Sequence, residues 1–137
     1  MADFTPGHLQ GATVAITGAS GNVGTALLRR LTAPGSGVAE VRGLARRVPP
    51  QVAPYDGVRW FSADLGDPDS TGVLAEFVDG ADVVIHLAWA LQPGREPDRL
   101  HKVNVDGSWR VARAASAAGT PRSSRARTSS ERVGTGA

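Results

Sequence analysis

The sequence predicts an α/β fold, a doubly wound parallel sheet with helices on both faces, and three observations predict it. Short apolar runs alternate with segments of helical period along residues 12–119. The run at 81–88, ADVVIHLA, is apolar almost throughout, as expected of a parallel strand covered on both sides. The first run opens into a glycine-spaced turn, TGASGNVG at 17–24, that leads straight into a helical pattern.

Taken in order, ATVAIT (12–17) is a short buried strand. NVGTALLRRL (22–31) sets Val23, Leu27, Leu28 and Leu31 on one helical face. APGSG (33–37) stops that helix, because proline and glycine together break it. VAEVRGLA (38–45) is a second strand, followed by the polar turn RRVPPQ, and VRWFSADL (58–65) is a third. DPDSTGVLAEFVDG (67–80) reads as a short helix whose acidic residues favour its first turn. ADVVIHLA (81–88) is the fourth strand, and PDRLHKVNVDGSWRVARAASAAG (97–119) is the longest helix, with Leu100, Val103, Trp109, Val111, Ala112 and Ala115 supplying apolar surface. The order β-α-β-β-α-β-α, with right-handed crossovers, leaves the doubly wound arrangement as the simplest topology. A fifth strand should follow the long helix, but the tail TPRSSRARTSSERVGTGA (120–137) has only Ala126, Val133 and Ala137 as aliphatic residues. The sheet is therefore expected to be truncated after about four strands, with a disordered tail.

The 137 residues leave room for one domain, here 1–119 plus the tail, and 41% hydrophobic content supports a packed core. Without cysteine, disulfides and thiolate metal sites are out of reach. No apolar run approaches the roughly 18–20 residues of a membrane span, and MADFTPGHLQG lacks the basic and apolar regions of a signal peptide. A cytoplasmic protein is expected. The formal charge of +2 divides into +3 on the tail and −1 on residues 1–119. The body has no broad basic face and no aromatic stacking motif, so nucleic acid is not an expected partner. Arginine outnumbers lysine 14 to one (Lys102), which with abundant alanine, glycine and proline points to GC-rich coding DNA.

Gly18, Gly21 and Gly24 are spaced by three at a strand-to-helix turn. A helix N-terminus offers unpaired N–H groups and partial positive charge, which suits a pyrophosphate. Gly18 would allow the tight turn, Gly21 the approach of backbone to phosphate, and Gly24 close packing of helix on strand. Ser20 and Asn22 can add side-chain hydrogen bonds, and Ala19 and Val23 complete the loop. The alternative is a tight turn with no ligand. A Walker-type loop is excluded, because no Gly-Lys-Ser/Thr follows.

TGASGNVG resembles the TGxxGxxG signature of the extended short-chain dehydrogenase/reductases, the NAD-dependent epimerase/dehydratase family, and the resemblance covers residues 12–119. ADL (63–65) is similar to the family's third-strand Asp-Leu, which implies that Asp64, beside Leu65, contacts the adenine amino group. DVVIHLAWA (82–90) resembles the fourth-strand VxHLAA, implying that Leu87 and Ala88 lie along the cofactor. NVDGSWRVARAA (104–115) resembles the family helix NVxGTxxxxxAA, in which Asn104 bonds backbone and Gly107 allows close helix packing. The implied fold is Rossmann-like and the implied cofactor is a nicotinamide dinucleotide. His86, in an apolar strand, is expected to be a core histidine rather than a catalyst.

An NAD-preferring domain usually carries an acidic residue about 20 residues past the glycines. That spacing lands on LARR (44–47), where the family's acidic position matches Ala45, and Arg46 and Arg47 follow. An arginine can pair bidentately with a 2′-phosphate, so NADP is favoured over NAD.

The resemblance also implies a Tyr-x-x-x-Lys pair after a fifth strand. The chain has one tyrosine, Tyr55, in the loop before the third strand, and one lysine, Lys102, in the long helix. They do not form the pair, and Ser129–Ser130 follows no expected strand, so no catalytic residue is assigned. His8, His86 and His101 show no metal-ligand spacing. If Arg is encoded CGN and Ser TCN, reading Arg122–Ala126 from the third base permits aliphatic, aliphatic, Thr, Ser, Ser, which resembles the family's missing strand; the tail is read as out of register from residue 120. The expectation is a dinucleotide-binding fragment of an epimerase/dehydratase-type oxidoreductase. The alternatives are a non-catalytic NADP-sensing module and a gene remnant. Family dimers pack through helices that include the long one, so a homodimer is compatible.

Overall fold

The computed structural model describes residues 9–88 and 101–125, with the side chains of 122–125 left aside. Five parallel strands form one sheet in the order β3-β2-β1-β4-β5: β1 Thr13–Thr17, β2 Glu40–Ala45, β3 Arg59–Ser62, β4 Val83–His86 and β5 Arg122–Arg125. Helix α1 spans Asn22–Leu31, α2 spans Thr71–Val78 behind a 3-10 turn at Pro68–Ser70, and α3 spans Gly107–Ala117.

Strand alternation sorts the apolar side chains onto two faces. Val14 and Ile16 of β1 pack with Val41 against Leu28 and Leu31 of α1. Ala15, Leu44 and Val84 turn the other way, onto Leu74, Phe77 and Val78 of α2 and Val111 and Ala115 of α3. Thus α1 covers one face and α2 with α3 the other, the doubly wound arrangement. The β2–β3 connection carries only a 3-10 turn at Tyr55–Gly57, so α1 is unaccompanied on its face among the described residues.

A buried arginine locks β2 to α2. Arg42 donates through Nη1 to Phe77 O at 3.0 Å and to Asp79 O at 2.5 Å, and its Nε pairs with Glu40. These are carbonyls at the C-terminal end of α2, which its own backbone leaves without helical donors. Gly43 makes room on the same strand: a Cβ there would lie 2.7 Å from Trp60 Cζ3.

Three expectations are corrected. No strand was expected after the long helix, yet Arg122–Arg125 pairs with Val83–His86 of β4. A parallel ladder is made by backbone groups, and Arg-Ser-Ser-Arg lacks the apolar signal by which a buried strand is read. The long helix is not uniformly α: Lys102–Asp106 forms a π turn before α3, and 97–100 lie outside the described residues. Val23, read as part of the apolar face of the first helix, and Trp109 and Ala112, read as apolar surface of the long one, are exposed, Val23 and Trp109 to 67% and 61%. The buried stripe of α1 is Gly24, Leu28 and Leu31, and Val23 sits about 100° from Gly24 round the helix axis. The tail beyond Arg125 and the Trp89–Ala90 end of the fourth-strand motif also lie outside the described residues.

A candidate cofactor groove at the carboxyl ends of the strands

β1 sits in the middle of the sheet, between β2 and β4. The chain leaves it in one direction to reach β2 and comes back on its other side as β4. That reversal opens a crevice at the carboxyl ends of the strands, the place where open α/β sheets take ligands.

The glycine turn forms one wall. Gly18 has φ +68°, and a Cβ there would lie 2.7 Å from Ala88 N, so only glycine lets β1 turn this close to the end of β4. Gly18 N donates to Leu44 O at 3.0 Å, tying the turn to β2. A Cβ on Gly24 would lie 2.6 Å from Ala19 O, so α1 starts hard against the turn that precedes it. Gly21 differs: its Cβ would meet only Gly18 O, at 3.4 Å, which leaves the outer side of the turn open. As N-cap of α1 it supplies no side-chain hydrogen bond, and the first turn carries no acidic residue, so the helix start keeps its electropositive character.

The opposite wall comes from β2 and β3. Ser62 Oγ donates to Arg46 O at 2.8 Å and Ala63 N to Ala45 O at 3.2 Å, holding the two strand ends together. Asp64 Oδ1 accepts Gly66 N at 2.9 Å, which fixes the carboxylate in its own turn. From behind, Arg110 Nη1 donates to Leu65 O at 2.7 Å, and Gly107 permits the approach, since a Cβ there would lie 3.0 Å from Leu65 Cβ.

A cavity of about 230 Å³ lies between these walls. Six of the residues expected at the site line it: Gly18, Ser20, Arg46, Asp64, Leu65 and Ala88. The others stand outside the lining. Ala19 and Leu87 pack into the core under α1, Gly21 and Gly24 frame the turn, and Asn22, Val23 and Arg47 are exposed beside it. Leu44, Ala45, Ala63 and Val103 also line the cavity. The first three adjoin flagged positions at strand ends and were open to inference; Val103, read as apolar surface of the long helix, gave no signal for the groove, because the π turn delivers it there.

His86 is a core histidine, as expected, at 4% exposure. Its Nδ1 lies 2.6 Å from Thr17 Oγ and its Nε2 3.0 Å from Ser108 Oγ. Tyr55 Oη and Thr25 Oγ are 3.0 Å apart, so the single tyrosine braces the first turn of α1. Lys102 lies in the π turn before α3, away from that contact.

The family model for the NAD dependent epimerase/dehydratase family matches residues 14–135. The chain belongs to this family. Among epimerase/dehydratase relatives, it is 36% identical over 110 residues to a UDP-glucose 4-epimerase of Mycolicibacterium smegmatis, covering 76% of this chain and 34% of that one. It is 32% identical over 107 residues to an L-arabinose 1-dehydrogenase (NAD(P)(+)) of Haloferax volcanii, with 78% and 37% covered. A solved short-chain dehydrogenase/reductase superfamily protein from Agrobacterium tumefaciens with bound NAD superposes with a TM-score of 0.70 at 31% identity, over 85% of this chain and 32% of that chain. The chain thus spans about a third of the length of these relatives. No described helix is long and apolar enough to cross a membrane.

Proposed function

We propose that this chain is the dinucleotide-binding part of an NAD(P)-dependent epimerase/dehydratase-type oxidoreductase. The observation that carries the reading is one groove in which the glycine turn, Arg46, Asp64 and Ala88 converge at the carboxyl ends of β1 to β4. The residues fit a pyrophosphate-linked ligand: the turn is open beside Gly21, and α1 starts without a side-chain cap. Its first-turn N–H groups would take the pyrophosphate and Asp64 the adenine. The nicotinamide, when bound, supplies hydride transfer.

The preferred cofactor is NADP. Ala45 stands where a ribose-binding carboxylate would be, and Arg46 lines the groove beside it, in place to pair with a 2′-phosphate. Calorimetric titration of the full chain with NADPH and NADH tests both claims. NADPH should bind on the order of tenfold more tightly; no binding of either would end the reading.

Catalysis is a separate matter. Tyr55 is engaged with Thr25, and Lys102 sits in another part of the fold. That separation favours a second reading, a non-catalytic NADP-sensing module, and the chain by itself is expected to show cofactor binding without turnover. A cytoplasmic location accords with either reading. Exposed Val105 and Trp109, one turn apart along the π turn and α3, would give a second copy an apolar seat.

A further inference from the structure

Thr17 Oγ makes three polar contacts. Ala88 N donates to it at 3.2 Å, Leu87 N shares its hydrogen between it and Thr17 O at 3.1 Å each, and His86 Nδ1 lies 2.6 Å away. A hydroxyl has two lone pairs and one proton. The backbone groups take the lone pairs, so the proton goes to Nδ1, which is therefore the bare ring nitrogen. The other end gives the same answer independently. Ser108 Oγ donates its only proton to Asn104 O at 2.6 Å, so toward His86 Nε2 it accepts, and Nε2 carries the ring proton.

The relay thus has one direction: Leu87 and Ala88 to Thr17, Thr17 to His86, His86 to Ser108, Ser108 to Asn104. Its two ends serve different parts of the molecule. Thr17 immediately precedes Gly18, and Ala88 lines the groove at the point where Gly18 comes closest to it. Ser108 belongs to the first turn of α3 and does not line the groove.

We infer that His86 is a positioning residue that couples α3 to the cofactor groove. As the Nε2–H tautomer it orients the Thr17 hydroxyl onto the Leu87 and Ala88 amides, and so sets the spacing of Gly18 and Ala88. The inference rests on the dinucleotide reading above. Its distinctive consequence is that Ser108, outside the groove, controls cofactor affinity through a chain of hydrogen bonds.

The test uses the full chain as wild type, Thr17→Ser, Thr17→Val, Ser108→Ala and the Thr17→Val/Ser108→Ala double variant. Each is titrated with NADPH, and the histidine ring nitrogens are observed by 15N NMR without ligand, with His86 assigned by its loss in His86→Gln. Thr17→Val should weaken binding about tenfold and Ser108→Ala several-fold, Thr17→Ser should stay within about threefold of wild type, and the double variant should be no weaker than Thr17→Val. Wild-type His86 should be protonated on Nε2 alone, and Ser108→Ala should give a tautomer mixture. A ring protonated on Nδ1, wild-type affinity in Ser108→Ala, or additive losses in the double variant would overturn the inference. If Thr17→Val fails to fold, Ser108→Ala and the ring spectra decide. Wild-type protein that binds neither NADPH nor NADH sinks the dinucleotide reading instead, and the spectra still settle the tautomer.

Discussion

The carbonyl oxygen of Ala19 stands 2.6 Å from the point a Cβ on Gly24 would occupy. Both neighbours are backbone, since Gly18 O is nearer still, and backbone inside a strand-to-helix turn cannot step aside cheaply. Gly24→Ala should therefore destabilise the fold by about 1–3 kcal/mol, the usual range for an overpacked core. Urea unfolding followed by circular dichroism measures it, and an unchanged midpoint would count against the packing role.

Arg42 offers the second prediction. Replacing it with methionine keeps much of the stem but leaves Phe77 O and Asp79 O without their donor. A loss of about 2–4 kcal/mol is expected, because a buried carbonyl, that of Phe77, and a partly buried one, that of Asp79, lose a charged partner at once. Arg42→Lys should recover only part of it, since an ammonium lacks the planar fork. Equal stability of the methionine variant and wild type would refute the clamp.

Ser70 should behave in the opposite sense. It is 4% exposed, and its Oγ has no hydrogen-bond partner among the described residues. It also fails to cap α2, whereas Asp67 does cap the preceding 3-10 turn by accepting Asp69 N. Ser70→Ala removes an unpaired buried hydroxyl and should be neutral or stabilising by up to about 1 kcal/mol. A clear drop in melting temperature would reveal a partner for that hydroxyl.

Cofactor choice supplies the fourth. Arg46→Ala should cut NADPH affinity on the order of tenfold while leaving NADH within about twofold. Arg47→Ala should do less to NADPH, because Arg47 stands outside the groove lining. Parallel titrations would expose the error if Arg47 proved the stronger determinant.

Most of the architecture was legible because apolar periodicity carried it. α1 begins and ends at Asn22 and Leu31 as read, and β1, β2 and β4 lie within the expected runs. β5 was not legible: Arg-Ser-Ser-Arg has no apolar alternation, and only the open edge of β4 gives it a place. The glycine turn and Asp64 were readable because their residue types answer a local backbone demand. Val103 was read only as apolar surface of a regular helix, and it reaches the groove from inside the π turn that precedes α3. The tautomer of His86 depends on residues 69 and 22 positions away in the chain, so no local pattern could signal it.

The walls of the groove are mostly main chain, methyl groups and short aliphatic side chains, from Gly18, Ala45, Ala63, Leu65 and Ala88. Such a surface presents a shape and almost no reactivity. Relatives named for sugar epimerisation and for sugar oxidation accordingly share this third of their length with the present chain. Such a surface can hold a ligand still without reacting with it.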